Sequence, residues 1–443
     1  MLNKLKKMAW ITTCLFVHSA NAFSQISGLD EIYAAYSNHD LFEGQVLVAQ
    51  NNQILFTNSR IQDTPAVFEI GSLAKQFTAV LILKLKNKQK LSLSDTVEMH
   101  VKDFKNTAVG KVTIEQLLKH ESGLPRDFVS IDERKCFQSM NSETRGRLLS
   151  VLEVSDSTRR NYSNAGYALL AHMIEIITKR RFQEVMRTEL LKPAKLEYTG
   201  VLTPQKPAGY HNAHIQLHNK ILLQPYQQQA YAIGHGAMYS SVNDLYHWIQ
   251  QLLRFEVVPK DDIEYMMSHN IGLFKYTYDW PQNKGEKGQA FTHSGSNEAF
   301  AANLSVYLNH DLVVISLANQ QPAEINSLYN QLANHVLGMT ESLPYENFQM
   351  NLYKILFEEG KAAAKEHFKR AENAQRWDIP SPGEINKMGY LYLQNDFYQS
   401  AVDIFQFLVE IYPQYKNGED SLKEALAIKQ KGPAKTHPYI SRK

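Results

Sequence analysis

The chain has 443 residues, of which 44% are hydrophobic and 21% are charged, and its formal net charge at pH 7 is +2. This composition is typical of a globular protein with about two or three domains and excludes an intrinsically disordered chain. Acidic and basic residues are nearly balanced and form no basic patch, so we expect no nucleic-acid partner.

The first predicted element is a secretory signal sequence at residues 1–22. Three lysines precede an apolar run at residues 8–17, and Ala20-Asn21-Ala22 has the small-x-small pattern of a signal-peptidase site. The apolar run is too short for a stable membrane span. A buried N-terminal helix is the alternative interpretation. We expect a secreted or periplasmic protein that is cleaved after Ala22.

Cleavage after Ala22 would change the chain in two ways. It would remove three lysines and no acidic residue, so the formal net charge would go from +2 to −1. It would also remove Cys14 and leave Cys136 as the single thiol, so the sequence predicts no internal disulfide in the mature chain.

The region that follows the signal has strand patterns at both ends and helix patterns between them. Alternating or continuous apolar runs predict strands at residues 44–49, 53–57, 290–293, 299–308 and 312–318, with Asn51-Asn52 as a turn. Apolar residues at helical spacing predict helices at residues 29–36, 112–119, 144–151, 166–178 and 244–254. We therefore predict an α+β domain, in which helices and a helical subdomain flank an antiparallel sheet.

Two segments of this region show no regular pattern. Residues 260–288 are polar, aromatic and irregular, and residues 211–229 carry no periodicity. We expect both segments to be loops that influence substrate specificity.

Beyond residue 341 the sequence predicts helices alone, at residues 350–359, 361–374, 384–393, 398–412 and 421–429. Gly389, Ala401 and Pro413 fall where a tetratricopeptide helix pair places its packing glycine, small residue and terminating proline. One good copy and one degenerate copy are too few for a self-supporting array. We predict a small all-α, tetratricopeptide-like region at residues 345–430, with a protein partner as one role for it, and a disordered tail at residues 431–443.

Ser72 and Lys75 form the only Ser-x-x-Lys pair of the chain, just after Gly71 and at the start of a predicted helix. At 3.6 residues per turn, Lys75 lies on the same helical face as Ser72. Burial lowers the pKa of a lysine, so Lys75 can take the proton of the Ser72 hydroxyl. The helix N-terminus adds partial positive charge where an oxyanion would form. An N-capping serine beside a solvated lysine is the alternative.

A second candidate element is the Tyr-x-Asn sequence of Tyr162 and Asn164, which precedes a predicted helix. A phenol near positive charge can act as a general acid and base. The Tyr-x-Asn pattern also occurs at five other tyrosines, so most of its copies are structural. These copies begin at Tyr36, Tyr210, Tyr307, Tyr345 and Tyr415. The position of Tyr162 between the Ser72 helix and the later strands favours a role in catalysis.

The third element is Thr292-His293-Ser294-Gly295-Ser296, which contains the only His-x-Gly of the chain. It ends a predicted strand, where backbone N–H groups can polarise a carbonyl and His293 can attract a substrate carboxylate. A hydrogen-bonding surface histidine in a turn is the alternative. The sequence contains no His-Glu-x-x-His motif of the metal-binding type.

In this order, the three elements resemble those of the serine β-lactamase and penicillin-binding protein family, which includes class C β-lactamases, D-alanyl-D-alanine carboxypeptidases, D-aminopeptidases and related esterases. Two further segments are similar to family signatures. Residues 117–125 read Leu-Leu-Lys-His-Glu-Ser-Gly-Leu-Pro, and residues 236–245 read Gly-Ala-Met-Tyr-Ser-Ser-Val-Asn-Asp-Leu. The resemblance covers residues 28–340 and implies a serine hydrolase domain there.

The resemblance implies a role for each candidate residue. Ser72 would be the acylated nucleophile, Lys75 its base and Tyr162 a proton shuttle. Asn164 would orient the substrate amide, and the backbone N–H groups of Ser72 and Ser296 would form an oxyanion hole. The substrate-binding strand would be formed by His293, Ser294, Gly295 and Ser296. No metal or organic cofactor is implied.

The resemblance leaves the substrate open among a D-amino-acid peptide, a β-lactam and a small ester, each a small molecule or short peptide. His293-Ser294-Gly295 stands where efficient class C β-lactamases usually have Lys-Thr-Gly, which favours a peptidase over a β-lactamase. An esterase on the same scaffold remains an alternative. A second alternative is a non-catalytic protein that binds a peptide or a partner protein.

Overall fold

The computed structural model describes residues 26–59, 66–129, 139–155, 159–279, 287–297, 299–339 and 342–431. The predicted signal sequence, Cys136 and nearly all of the predicted tail lie outside these ranges. The chain divides into two compact units. The first consists of Met1–Ser37, Phe42–Ala213 and Gln224–Ser342, and the second of Asn38–Leu41, His214–Leu223 and Leu343–Lys443.

The centre of the first unit is a six-stranded antiparallel sheet with the strand order β2-β1-β11-β10-β9-β8. Both ends of the unit contribute to it, as the sequence predicts. Its strands are β1 (Gly44–Gln50), β2 (Gln53–Ser59), β8 (Phe274–Asp279), β9 (Lys287–Asn297), β10 (Phe300–Tyr307) and β11 (Leu312–Ala318).

The turn between β1 and β2 follows from two asparagines. Asn51 and Asn52 have φ values of 51° and 61°, the left-handed conformation that a two-residue hairpin needs at both positions. Asparagine tolerates this region better than most residues, so the local sequence determines the strand pairing.

The central strands are buried on both faces. Every residue of β11 is buried, and its run Leu-Val-Val-Ile-Ser-Leu-Ala reads as a continuous apolar strand. Two helices pack against this part of the sheet, α8 (Val242–Leu253) and α10 (Ile325–Val336). The sheet therefore lies between layers of the core and supports the site at the end of β9.

The helices between residues 74 and 186 form the predicted helical subdomain around α2. Eleven of the fourteen residues of α2 are buried, so this helix is enclosed on almost all sides. It contacts α6, which also packs on α4 and α5. The subdomain helices are α2 (Ala74–Asn87), α3 (Val97–His100), α4 (Ile114–Lys119), α5 (Ser142–Ser150), α6 (Asn164–Thr178) and α7 (Phe182–Met186). Helix α1 (residues 26–38, the last of them in the second unit) instead lies against the large sheet, where the Tyr33 ring packs on Phe56 of β2. A small antiparallel sheet joins β3 (Phe68–Glu69), β7 (Met238–Ser240) and β4 (Gly200–Val201).

The prediction of an irregular segment at residues 260–288 is wrong. Its described residues include a helix, α9 (Lys260–Ser268), and strand β8. Pro259 caps the N-terminus of the helix, and Asp261 and Asp262 lie in its first turn, which are normal N-terminal signals. Strand β8 alternates Phe274, Tyr276 and Tyr278 with polar residues, a period of two that is easily lost within an aromatic-rich sequence.

The described residues of the second unit form five helices and one hairpin from elsewhere in the chain. The helices are α11 (Phe348–Glu358), α12 (Lys361–Asn373), α13 (Pro382–Gln394), α14 (Tyr398–Ile411) and α15 (Lys416–Lys431). Most of strands β5 (Ala213–Leu217) and β6 (Lys220–Gln224) belong to this unit, where the His218 N–H donates to the Tyr392 hydroxyl at 3.1 Å. The sequence predicts the helices but no strands at residues 211–229.

Candidate active site

Ser72 lies in a 3₁₀ turn, Gly71–Leu73, that leads directly into α2. Gly71 has φ +47°, and a Cβ there would come within 2.5 Å of the backbone nitrogen of Ser296. Gly295 is equally confined, since its Cβ would lie 2.0 Å from the Ile70 carbonyl oxygen and 3.0 Å from the Ser72 nitrogen. The two glycines thus allow strand β9 to approach the Ser72 turn closely. This approach brings the backbone nitrogens of Ser72 and Ser296 to one place.

Lys75 lies in the first turn of α2 and is completely buried. Its Nζ is 3.1 Å from Ser72 Oγ and donates to the carbonyl oxygen of His235 at 2.8 Å. Burial lowers the pKa of this amine well below its usual range; the charge of Asp127 opposes the shift and that of Arg126 adds to it. A lysine held in this way can accept the proton of the serine hydroxyl.

Tyr162 completes a cluster of three side chains. Its phenol forms a hydrogen bond with Ser72, and its ring centroid lies 4.8 Å from Lys75 Nζ. Burial raises the pKa of Tyr162 to about 12, although the Ser72 hydrogen bond and Arg126 act in the opposite direction. The phenol is therefore protonated near neutral pH and can donate a proton to a leaving group.

His120 holds Tyr162 in place, a role that the sequence analysis missed. It ends α4 in the left-handed conformation with φ 60°. Its carbonyl oxygen accepts from the Asn161 N–H at 2.8 Å, its Nδ1 accepts from the Ser163 N–H at 3.1 Å, and its ring stacks on Tyr162 at 4.5 Å. Burial lowers its pKa to about 3, so the ring is neutral. The sequence signal for this role was the position of His120 in the Leu-Leu-Lys-His signature.

The His-x-Gly element lies along β9, beside the Ser72 turn. His293 is 4% exposed, and its Nδ1 lies 2.6 Å from the carbonyl oxygen of Gly272. Burial lowers the pKa of His293 to about 3, and the charge of Lys75 lowers it further. The ring is therefore neutral, and the expectation that it attracts a substrate carboxylate through charge is not supported. A neutral imidazole can still bind a substrate by hydrogen bonding.

The other predicted residues of β9 differ in their partners. Ser294 Oγ accepts from Asn303 Nδ2 at 3.2 Å, and Ser296 Oγ accepts from Gln321 Nε2 at 2.9 Å. Both Ser294 and Ser296 are exposed. All four predicted residues of this strand therefore lie within or next to the site.

Asn164 is the first residue of α6 and follows the N-capping Ser163. Its Nδ2 donates to Asp127 Oδ1 at 2.8 Å. Two charged residues, Arg126 and Asp127, thus lie beside the cluster, and the sequence analysis missed both. They follow Pro125 at the end of the Ser-Gly-Leu-Pro signature.

The sequence analysis also missed a buried carboxylate, that of Glu69, next to the end of β9. Glu69 is 3% exposed and accepts hydrogen bonds from Tyr210 at 2.6 Å, Gln229 at 2.7 Å and Asn297 at 3.1 Å. Asn297 also donates to the carbonyl oxygen of Gly236, the neighbour of the residue that holds Lys75. This network ties the end of β9 to the segment that positions Lys75. Glu69 stands between the apolar residues Phe68 and Ile70, an unusual place that could have flagged it.

The described residues contain no group of three His, Cys, Asp or Glu side chains that could hold a metal ion. No helix in the described ranges has the length and apolar character needed to cross a membrane.

Comparisons with known proteins identify the family and the fold. The model of the family "Beta-lactamase" matches residues 29–336. The chain belongs to the β-lactamase family. Penicillin-binding protein 4* of Bacillus subtilis (strain 168) is 27% identical over 346 residues, which cover 70% of this chain and 75% of the relative.

Two solved structures show the same fold. The octameric penicillin-binding protein homologue from Pyrococcus abyssi has a TM-score of 0.61 at 21% identity and covers 74% of this chain and 82% of its own. A D-stereospecific amidohydrolase from Streptomyces sp. has a TM-score of 0.60 at 18% identity and covers 71% of this chain and 99% of its own. The solved structures confirm the predicted antiparallel sheet with flanking helices, and the family model confirms the predicted family. The protein is thus a hydrolase of the serine β-lactamase and penicillin-binding protein type.

Proposed function

We propose that this protein is a secreted or periplasmic serine hydrolase that forms an acyl-enzyme at Ser72 and acts on amide or ester substrates, with D-amino-acid peptides as the favoured class. The observation that carries the proposal is the 3.1 Å contact between Ser72 Oγ and the Nζ of Lys75, whose side chain is completely buried. Burial favours the neutral amine, and only a neutral amine can take the serine proton. The secretory pattern of residues 1–22 supports the location.

Acylation follows from the positions of the three side chains. The Ser72 oxygen forms a bond to the substrate carbonyl carbon as its proton passes to Lys75. The oxyanion lies between the backbone N–H groups of Ser72 and Ser296, and removal of one such donor costs about 3–4 kcal/mol of transition-state stabilisation. The bond to the leaving group breaks as Tyr162 gives its proton to that group. The Lys75 ammonium then returns a proton to the phenolate.

Deacylation uses the same groups in reverse. Water attacks the acyl carbonyl and gives a proton to the Lys75 and Tyr162 pair, and the Ser72 oxygen leaves with a proton from that pair. The cycle ends with the acid product free and each side chain in its starting protonation state.

Two observations support peptidase-like chemistry over β-lactam hydrolysis. His293 stands where the resemblance places a lysine in efficient class C β-lactamases, and its ring is neutral. The fold is also shared with a protein described as a D-stereospecific amidohydrolase. Ester hydrolysis is the second candidate, because acylation at this site needs no amide-specific group.

Covalent labelling tests the proposal. Wild-type protein should gain the mass of a fluorophosphonate, or of a fluorescent penicillin, on Ser72. Ser72→Ala should gain none, whereas Ser268→Ala, which removes an exposed hydroxyl, should label like the wild type. A D-alanyl-D-alanine peptide, a chromogenic cephalosporin and short p-nitrophenyl esters then rank the substrates. If the wild type takes neither label, a non-catalytic binding protein replaces the hydrolase.

A further inference from the structure

The side-chain amide of Asn297 connects the end of strand β9 with two other segments of the site. Asn297 directly follows Ser296, whose backbone N–H is one donor of the proposed oxyanion hole. Its Nδ2 donates to the carbonyl oxygen of Gly236 at 2.9 Å and to Glu69 Oε2 at 3.1 Å. An amide nitrogen carries two hydrogens, so each acceptor receives one of them. A Cβ at Gly236 would lie 3.3 Å from Asn297 Oδ1, so the amide also packs directly against this glycine.

Both acceptors belong to segments that carry or support catalytic groups. Gly236 follows His235, whose carbonyl oxygen accepts from Lys75 Nζ at 2.8 Å. Glu69 is the last residue of β3 and lies three positions before Ser72. This one amide therefore joins the strand of the oxyanion hole to the segment that supports the base and to the segment that leads into the nucleophile.

The carboxylate of Glu69 fixes the orientation of that amide. It also accepts from the Tyr210 hydroxyl at 2.6 Å and from Gln229 Nε2 at 2.7 Å. Burial and the charge of Glu69 raise the pKa of Tyr210, so the hydroxyl keeps its proton and remains a donor. If the Asn297 amide were rotated by 180°, its carbonyl oxygen would face the oxygens of Glu69 and Gly236, which are acceptors too. The carboxylate thus selects one of the two orientations of the amide.

We propose that Glu69 and Asn297 are positioning residues of the serine hydrolase reaction, which together hold the oxyanion-hole donor Ser296 against the segment that supports Lys75. The inference rests on the proposed acylation of Ser72. The carboxylate fixes the amide, and the amide fixes the distance between the oxyanion hole and the base. Loss of either member lets the end of β9 move relative to the base, and the reaction then loses the geometry that it needs.

The effect should fall on the reaction step and not on binding. The oxyanion forms only as the nucleophile attacks, so a displaced donor destabilises the transition state and leaves the first complex with the reagent unchanged. Displacement of a catalytic group by about 1 Å can slow a reaction about a hundredfold. A residue that only supported the fold would lower the free energy of unfolding without this separation between reaction and binding.

The test uses a fluorophosphonate, from which the Ser72 oxygen displaces fluoride. Labelling at a series of concentrations gives the maximal rate constant of the reaction, kinact, and the half-saturating concentration, KI. Asn297→Ala removes both hydrogen bonds of the amide at a half-buried position, so it should fold. Its kinact should fall about tenfold or more, while its KI stays within about twofold of the wild type. Asn243→Ala, the same change at an exposed position of α8, should keep both constants.

Two variants at position 69 separate the acceptor from the size of the side chain. Glu69→Leu removes the acceptor and should lower kinact as Asn297→Ala does. Glu69→Gln keeps one acceptor oxygen for the Asn297 amide, while its NH₂ group can donate to the Tyr210 oxygen, so it should lose no more than about threefold. When Glu69→Leu and Asn297→Ala are combined, kinact should stay within about twofold of that of Asn297→Ala, because both changes break the same link.

The outcomes separate this inference from the proposed function. The positioning role is overturned, and the serine hydrolase is left intact, by an Asn297→Ala protein with the kinact of the wild type, by a Glu69→Gln protein as slow as Glu69→Leu, or by a double variant whose loss is the product of the two single losses. If Glu69→Leu does not fold, as shown by loss of its cooperative thermal transition, Asn297→Ala decides. A wild type that takes no fluorophosphonate on Ser72 overturns both the role and the proposed function.

Discussion

At the residue scale, the chemistry depends on the protonation states that burial imposes around Ser72. The pKa of Lys75 lies well below its usual range, those of His120 and His293 are about 3, and that of Tyr162 is about 12. Between about pH 3 and pH 12, the two imidazoles are therefore neutral and the Tyr162 phenol is protonated. Lys75 is the group of this cluster whose charge then decides activity on the acid side.

Removal of the Asp127 charge and removal of the Arg126 charge should shift the acid limb of the pH–activity profile in opposite directions. Activity requires neutral Lys75, so it falls as the pH drops through the pKa of Lys75. Asp127 raises that pKa and Arg126 lowers it. In a plot of log kcat/KM for a simple ester, Asp127→Asn should therefore shift the acid limb to lower pH, and Arg126→Gln to higher pH.

The other charged and titratable groups near Lys75 do not change this expectation. Burial raises the pKa of Tyr167, the second phenol beside Lys75, so this group stays protonated across the acid limb. Shifts of both variants in the same direction would show that a group other than Lys75 controls the limb.

At the element scale, the site depends on the close contact between the Ser72 turn and strand β9. Gly71 combines a positive φ with a backbone nitrogen 2.5 Å from the position of a Cβ. A side chain there would have to push the strand away and adopt a conformation that costs an L-residue about 1–2 kcal/mol. The two backbone nitrogens of the oxyanion hole would then separate.

Gly71→Ala should therefore lose most fluorophosphonate labelling and unfold with a free energy lower than that of the wild type by more than about 1 kcal/mol. Gly383→Ala is the control, because the nearest atom to its Cβ is 4.0 Å away. Denaturant unfolding and a labelling time course provide the two readouts. A Gly71→Ala protein that labels at the rate of the wild type would show that this contact does not position the oxyanion hole.

The sequence predicted the elements whose signals are local. The hairpin at Asn51-Asn52, the apolar strand β11 and the start of α2 each follow from residues close in the chain. The sequence also placed Ser72, Lys75 and Tyr162 in one site, because the order of three motifs resembles that of a family. It did not predict β8 or α9, where aromatic and polar residues obscure the period.

The missed site residues have a common cause. Asp127, Glu69 and His235 act on groups that are 37, 228 and 160 positions away in the chain. Lys75 bonds the backbone of His235, which the side-chain type does not reveal. No spacing rule reports such contacts, since they depend on how separate elements pack.

At the scale of the whole molecule, the chain combines a hydrolase unit with a second unit of a different kind. The second unit has its own core, in which Gly389 lies so close to Phe405 that a Cβ would come within 2.4 Å of the ring. This agrees with the expected role of Gly389 in packing a helix pair. The likeness to tetratricopeptide repeats stays a prediction.

The proposed secretion rests on the signal pattern of residues 1–22, and cleavage there can be measured. Expression of the full chain in a Gram-negative bacterium should place the protein in the periplasmic fraction with Phe23 as its first residue. Ala22→Leu should block processing, because the peptidase requires a small residue before the cut. Recovery of wild-type protein in the cytoplasm with residues 1–22 attached would contradict secretion.

The central claim is that Lys75 is held neutral beside Ser72, and the pKa of its amine is the most direct measure of that claim. The protein can be prepared with ¹³C at the lysine ε-carbons and titrated by NMR, with Lys75→Ala to assign the resonance. The account predicts one lysine signal that is missing from Lys75→Ala and titrates well below the usual lysine pKa of about 10.4. A Lys75 signal that titrates near 10.4 in the folded protein would contradict it.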